Sequence, residues 1–164
     1  MIKKLLKPYM YVKDVFSIDY RKLQQEGIKG IMFDIDNTLI NYEQHTVDEK
    51  LLELFKDLND RGFKVALVSN GPQKRVEKFN LDLSIFALHR ALKPSRRGLK
   101  KAIKSMKIER KQAVIVGDQI FTDVLAANRL GIKSVLVQPI KPKDSWGEIK
   151  KRIIEKKLLK KFEM

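Results

Sequence analysis

Two aspartates one residue apart, Asp34 and Asp36, close the apolar run Gly30-Ile31-Met32-Phe33 and precede Asn37 and Thr38. Alternate side chains of a strand leave on the same side, so both carboxylates should face one place where strand gives way to loop. Like charges held that close need a cation or a shared proton. Magnesium suits them, because it takes hard oxygen ligands and is usually held by one or two carboxylates together with substrate phosphate. Taken alone, the short pattern has little specificity and also reads as a strand end decorated with solvated acids.

Further groups follow other apolar runs. Gly117-Asp118-Gln119-Ile120-Phe121-Thr122-Asp123 comes after one of them. Its glycine permits a sharp exit, and Asp118 can complete a carboxylate cage with Asp34. Asp123, one turn later, either backs that cage without binding metal itself or is a helix-start acid favoured by the dipole. Ser69 and Asn70 follow Val65-Ala66-Leu67-Val68. The Ser69 hydroxyl can meet a phosphoryl oxygen or cap the next helix, although Gly71-Pro72 puts that helix start slightly later. Lys93, before Pro94, offers a point charge for a transferring phosphoryl group. With 35 Lys and Arg in the chain, a lone lysine is ordinarily surface, and only its place among the others singles it out.

These residues need strands and helices to bring them together. Residues 30–35, 63–69, 85–87, 113–116 and 134–137 read as strands, the third a weak one. Residues 47–61 carry Leu51, Leu54, Phe55 and Leu58 at helical spacing, and Gly62 ends that run. Helices are also expected after Gly71-Pro72, over 95–106 and over 121–130, the last stopped by Gly131. Alternating strands and helices predict an α/β fold, a doubly wound Rossmann-like parallel sheet. Ligands of such sheets bind at the carboxyl ends of the strands, where all the polar residues above fall.

In the order DIDNT, VSN, KP and GDQIFTD, the chain resembles the haloacid dehalogenase (HAD) phosphohydrolase superfamily over residues 30–138. Ala126-Ala127-Asn128-Arg129-Leu130-Gly131 narrows the likeness to its class III, YqeG-type phosphatases. The resemblance implies a three-layer core and a phosphoric monoester hydrolase. It implies Asp34 as nucleophile, giving an aspartyl-phosphate, and Asp36 as acid and then base. It further implies Mg2+ held by the Asp34 carboxylate, the Asp36 backbone carbonyl and Asp118. Asn37, Thr38, Ser69, Asn70 and Lys93 are then expected at the substrate, with backbone N–H groups around Asn37 joining them. Leu39 to Asp48 and Gly71 to Leu92 are too short for the cap domains common in that superfamily, so no cap is expected. Some class III relatives are phosphatidylglycerophosphate phosphatases, which makes a lipid phosphate at an anionic membrane surface the expected partner.

Composition bounds the rest. At 164 residues with 43% hydrophobic content, one domain spanning 1–164 is expected, with basic amphipathic ends at about 1–25 and 145–164. The absence of cysteine excludes disulfides, thiolate metal sites and cysteine catalysis. A formal net charge of +15 favours anionic partners without choosing among them. No apolar stretch reaches the roughly 20 residues of a membrane span, so a cytoplasmic location is expected, peripheral to a membrane if the basic ends bind one. Trp146, Ile149, Ile153 and Ile154 near helical spacing read either as core packing or as a face for an anionic surface. An RNA- or ribosome-binding protein with a vestigial site is the reading from another class, although no RNP, KH or zinc-knuckle motif is present. A phosphotransferase that passes the group to an acceptor other than water stays equally open.

Overall fold

The computed structural model describes residues 2–141 and 145–164. Its strands are β1 (Met10–Val12), β2 (Gly30–Phe33), β3 (Lys64–Val68), β4 (Phe86–Leu88), β5 (Ala113–Gly117) and β6 (Lys133–Val137). They form one six-stranded sheet in the order β1-β6-β5-β2-β3-β4, and every pairing is parallel. The helices are α1 (Ile2–Leu6), α2 (Tyr20–Gln25), α3 (Glu49–Asp60), α4 (Gln73–Asn80), α5 (Arg97–Met106), α6 (Leu125–Leu130) and α7 (Trp146–Lys161).

The central strands β2 and β5 are buried along their whole length, as unbroken apolar runs covered on both faces must be. On one face Ile31, Phe33, Leu67, Val114 and Val116 pack against Leu51, Phe55 and Leu58 of α3 and Val76 and Phe79 of α4. On the other, Met32, Ala66, Val68 and Ile115 pack against Leu99, Ala102 and Ile103 of α5 and Ala126 and Ala127 of α6. A smaller cluster of Ile120, Val124, Leu136 and Leu159 joins α7 to the β6 side.

The expected α/β sheet has one strand more than the five read from sequence. The extra strand, β1, is three half-buried residues at the sheet edge, paired with β6 from Met10↔Val135 to Val12↔Val137. Three residues are too few for a period-two signal, and this stretch reads as a basic amphipathic end. Strand β2 ends at Phe33, earlier than expected, although Asp34 N–H still donates to the Val116 carbonyl at 2.9 Å before the chain turns. Residues 121–130 are not one helix. A π-helical turn, Ile120–Val124, precedes α6, with Val124 N–H reaching the Gln119 carbonyl at 3.3 Å. Such i→i+5 turns gather at functional sites.

Two features of this topology position the site. After β2 the chain builds β3 and β4 on one side, then crosses back to place β5 on the other. The carboxyl ends of β2 and β5 therefore flank the switch point, the crevice where ligands of open α/β sheets bind. Among the described residues no domain covers that crevice: Asp48 already caps α3, and between β3 and β4 lies only the eight-residue α4.

Candidate active site

Asp34 leaves β2 and Asp118 leaves β5, so the two meet across the switch point. Asp123 joins them from the π-helical turn. Each offers a carboxylate oxygen, and these oxygens lie within 4.8 Å of one another, all buried. Lys93 Nζ donates to Asp34 Oδ1 and to Asp123 Oδ1, both at 2.7 Å. Thr38 Oγ1 lies 3.4 Å from Asp34 Oδ2 and 3.3 Å from Asp118 Oδ1. Acids this close in the interior resist ionising together. Burial first, then Asp123 and Asp36, push Asp34 up to about 6, even though Lys93 pulls the other way. Burial, then Asp34 and Asp123, push Asp118 up to about 8 against the pull of Arg152. Burial works against the Lys93 ammonium, but Asp123 and Asp34 outweigh it and hold it charged.

Local backbone chemistry brings these groups together. A Cβ on Gly117 would stand 2.2 Å from Asp123 Cγ and 2.3 Å from its Oδ2, so only glycine lets the turn fold Asp123 inward. Lys93 is held from both ends of the Asn70 amide: Asn70 Nδ2 donates to the Lys93 carbonyl at 3.0 Å, and Lys93 N–H donates to Oδ1 at 2.8 Å. The preceding Leu92 sits at φ 57°, an unusual place for leucine, and these bonds help fix it there. Past Asp34 the chain doubles back, with Asn37 N–H donating to the Ile40 carbonyl at 2.6 Å, and Thr38, Leu39 and Ile40 N–H to that of Ile35.

Asp34, Asp36, Tyr42, Ser69, Asn70, Gly71, Lys93, Gln119 and Thr122 line a small pocket of ≈ 80 Å³ above this cluster. Several residues are not where the sequence placed them. The Asp36 carboxylate lies outside the buried cluster, paired at 2.6 Å with Arg75 Nε from α4, because the chain has already turned out of the strand. Its Oδ2 lies 3.3 Å from where a Gly71 Cβ would stand, so that glycine leaves it room at the pocket. Thr38 sits between the carboxylates of Asp34 and Asp118 and does not line the pocket. The Asn37 side chain accepts from Lys141 N–H at 3.1 Å, and its own N–H is taken by Ile40. Ser69 is buried, and its Oγ accepts from Gly71 N–H at 2.9 Å, bracing the turn before α4 without capping it.

Sequence reasoning missed Arg75, Tyr42, Arg152 and Glu155. Arg75, Arg152 and Glu155 carry no local signal, since each reaches the site from a distant element, and Tyr42 arrives on the same irregular loop that follows Asp36. Arg152 of α7 donates to Asp118 Oδ2 through Nη2. Its Nη1 donates to the Asp118 carbonyl at 2.6 Å and to Glu155 Oε2 at 2.9 Å. Buried Glu155 accepts from Ile120 N–H at 2.9 Å. The carboxyl-terminal helix is thereby bolted to the loop that presents Asp118.

Hard carboxylate oxygens converging in a crevice fit a divalent cation such as magnesium, and a lysine beside them can meet a phosphoryl group. Similar proteins are named as phosphatases. A profile of the family described as mitochondrial PGP phosphatase matches residues 1–141. The chain belongs to that family. "Probable phosphatase YqeG" of Bacillus subtilis is 35% identical over 159 residues, covering 97% of this chain and 92% of that protein. "Phosphatidylglycerophosphate phosphatase 1, chloroplastic/mitochondrial" of Arabidopsis thaliana is 28% identical over 84% of this chain and 42% of that one. Among solved structures, a HAD-superfamily hydrolase from Ehrlichia chaffeensis has the same fold, with a TM-score of 0.59 at 14% identity, covering 82% of this chain and 98% of its own. The chain is a phosphatase, a phosphoric monoester hydrolase, on a HAD-like fold.

Two outcomes test the packing of this site. Gly117→Ala forces Asp123 off its bond with Lys93 and should lower the urea-unfolding free energy by about 1–3 kcal/mol, with little loss for Gly131→Ala beyond backbone strain. Arg152→Met leaves Asp118 and Glu155 buried without their shared cation and should cost on the order of 3 kcal/mol, part of it recovered by Arg152→Lys. Wild-type stability of Arg152→Met would show that α7 is held without this contact.

Proposed function

We propose that this phosphatase hydrolyses a lipid phosphate of the phosphatidylglycerophosphate type, with magnesium, through an aspartyl-phosphate on Asp34. The observation that carries the chemistry is the convergence of Asp34, Asp118 and Asp123, with Lys93 bridging Asp34 and Asp123, at a pocket that also holds Asp36. The lipid part is supported by the family and by an apolar groove of ≈ 260 Å³ beside Asp118. Tyr11, Leu136, Pro139, Ile149 and Ile153 line that groove. A pocket of ≈ 80 Å³ is far smaller than the roughly 300 Å³ or more of typical small-molecule sites, so it suits a phosphate head whose body lies elsewhere.

In this reading an Asp34 oxygen attacks phosphorus in line. A bond forms from that oxygen to phosphorus as the bond to the leaving oxygen breaks. Asp36 gives the leaving oxygen a proton, and then takes one from the water that attacks the aspartyl-phosphate and releases Asp34. Lys93 holds a phosphoryl oxygen, and the Ser69 hydroxyl hydrogen is available to another. Asn70 keeps Lys93 in place. Asp34 and Asp118 would hold magnesium, with the Asp36 backbone carbonyl alongside and Asp123 supporting them through Lys93. The ion offsets negative charge on the phosphoryl oxygens, where phosphoryl transfer needs it most.

The two acids differ in their consequences. Asp34→Asn should abolish both turnover of an aryl phosphate and covalent labelling, because no nucleophile remains. Asp36→Asn should still label from an activated substrate and release phosphate slowly, by about 10²–10⁴-fold, as expected for a lost general acid–base. Wild-type turnover in Asp34→Asn would move the nucleophile elsewhere.

Metal dependence can be read from stability as well as rate. Without metal, Asp34 and Asp118 keep their protons to higher pH than the ordinary carboxyl value of 3.8. The folded chain then binds more protons than the unfolded one between about pH 4 and pH 8. The stability this supplies is complete below that range and is lost as pH rises through it. Magnesium binds the deprotonated carboxylates, so the melting-temperature difference between magnesium and EDTA should widen from about pH 5 to pH 8. A difference that stays flat across that range would take the ion out of this site.

A further inference from the structure

Helix α7 presents two unlike faces. Arg152, Glu155 and Leu159 face the protein, where they meet Asp118, Ile120, Val124 and Leu136. Trp146, Lys150, Ile153 and Lys157 recur at four, three and four residues and face outward. Trp146 is 79% exposed and Ile153 49%. Large apolar side chains turned away from the core and interleaved with lysines make an amphipathic outer face of the kind that meets anionic surfaces.

The exposed apolar groups are not confined to α7. Leu92, 70% exposed, directly precedes pocket residue Lys93. Ile140, 48% exposed, donates its N–H to the Asn37 carbonyl beside the doubled-back chain after Asp36. The amino-terminal half of α7 also stands beside the pocket: Lys151 Nζ donates to Oε1 of Gln119, a pocket residue, and Ile149 lines the groove beside Asp118. Leu92, Ile140 and Trp146 are thus exposed apolar groups on three separate segments that border the pocket.

We propose that the mouth of the active site is itself a membrane-docking face, seated on an anionic bilayer with Leu92, Ile140 and Trp146 entering the interface around it. This rests on the lipid-phosphate reading above. A protein or second copy seated there would cover the mouth and shut substrate out, whereas a bilayer that contains the substrate delivers it. Tryptophan favours the membrane–water boundary, where its ring is apolar and its N–H wet. The exposed Lys150 and Lys157 beside the stripe, on a chain of net charge +15, match anionic headgroups. The apolar groove that opens beside Asp118 is lined by Ile149 and Ile153 of the same helix, so it would lie at bilayer level.

Trp146 is the only tryptophan of the chain and reports on this face directly. Asp34→Asn protein is titrated with phosphatidylcholine vesicles, with and without phosphatidylglycerol. Its emission should shift to the blue, and be quenched by brominated lipid, only with the anionic vesicles, and added salt should reverse the shift. Leu92→Asn with Ile140→Ser should weaken vesicle binding about tenfold or more, as expected for two exposed apolar groups withdrawn from an interface. Both substitutions should leave turnover of a soluble aryl phosphate unchanged. No shift with either vesicle, or equal shifts with both, overturns the docking face while aryl phosphate turnover keeps the phosphatase standing. A blue shift that grows with protein concentration in the absence of lipid assigns the face to a second copy and also overturns it. Vesicle binding by a wild-type chain that releases no phosphate from any ester would instead sink the catalytic reading alone.

Discussion

Everything around the switch point answers to one electrostatic problem, the burial of Asp34, Asp118 and Asp123 within a few ångströms of each other. An isolated buried carboxylate is costly, and several together are worse unless cations and hydrogen bonds compensate. Lys93 answers for Asp34 and Asp123, and Arg152 for Asp118. The compensation is incomplete, which is why Asp34 and Asp118 hold their protons more tightly than ordinary carboxyls. A site left short of positive charge in this way has the oxygen donors that a divalent cation takes. It also keeps a lysine close to where a phosphoryl group would sit.

The backbone is shaped to keep that arrangement in place. Parallel pairing of β2 with β5, in register from Gly30↔Ala113 to Phe33↔Val116, fixes the separation of the two strand ends. The π-helical turn and the missing side chain of Gly117 then bring Asp123 under Asp118. Asn70 ties the end of β3 to Lys93, so the lysine cannot drift even though its segment is irregular. Rigid elements supply position, and the loops between them supply chemistry.

The parts legible in the sequence were those written locally. Apolar runs marked β2, β3, β5 and β6, and the aspartates and serine that follow β2, β3 and β5 gather in one crevice with Lys93 from the segment after β4. What was illegible was long-range or very short. The three-residue β1 exists only because β6 pairs with it. Asp36 looked equivalent to Asp34 by alternation, yet alternation ends with the strand, and the turn sends Asp36 to Arg75. Thr38 and Asn37 read from sequence as ligand contacts, and in the structure their side chains meet distant segments, Thr38 at Asp118 as well as Asp34 and Asn37 at the Lys141 N–H. Arg152 is one basic residue among many in a lysine-rich tail, and no spacing rule separates it from Lys151 or Lys156.

The carboxyl-terminal helix shows why composition alone could not decide its role. Its apolar residues at helical spacing admitted a core-packing reading, and packing does occur, but through Leu158 and Leu159 together with the Arg152–Glu155 pair. The stripe of Trp146, Ile149, Ile153 and Ile154 stays exposed. A helix anchored by a buried ion pair needs few apolar contacts of its own, which releases the rest of its surface from structural duty. The geometry then matters more than the amphipathicity. The same helix holds the loop of Asp118 on one side and borders the mouth on the other. With no covering domain among the described residues, contacts beyond the phosphoryl group must come from the surface around the mouth. That surface exposes Leu92, Ile140 and Trp146, so on the proposed docking face what the protein rests against would contribute to specificity along with what enters the pocket.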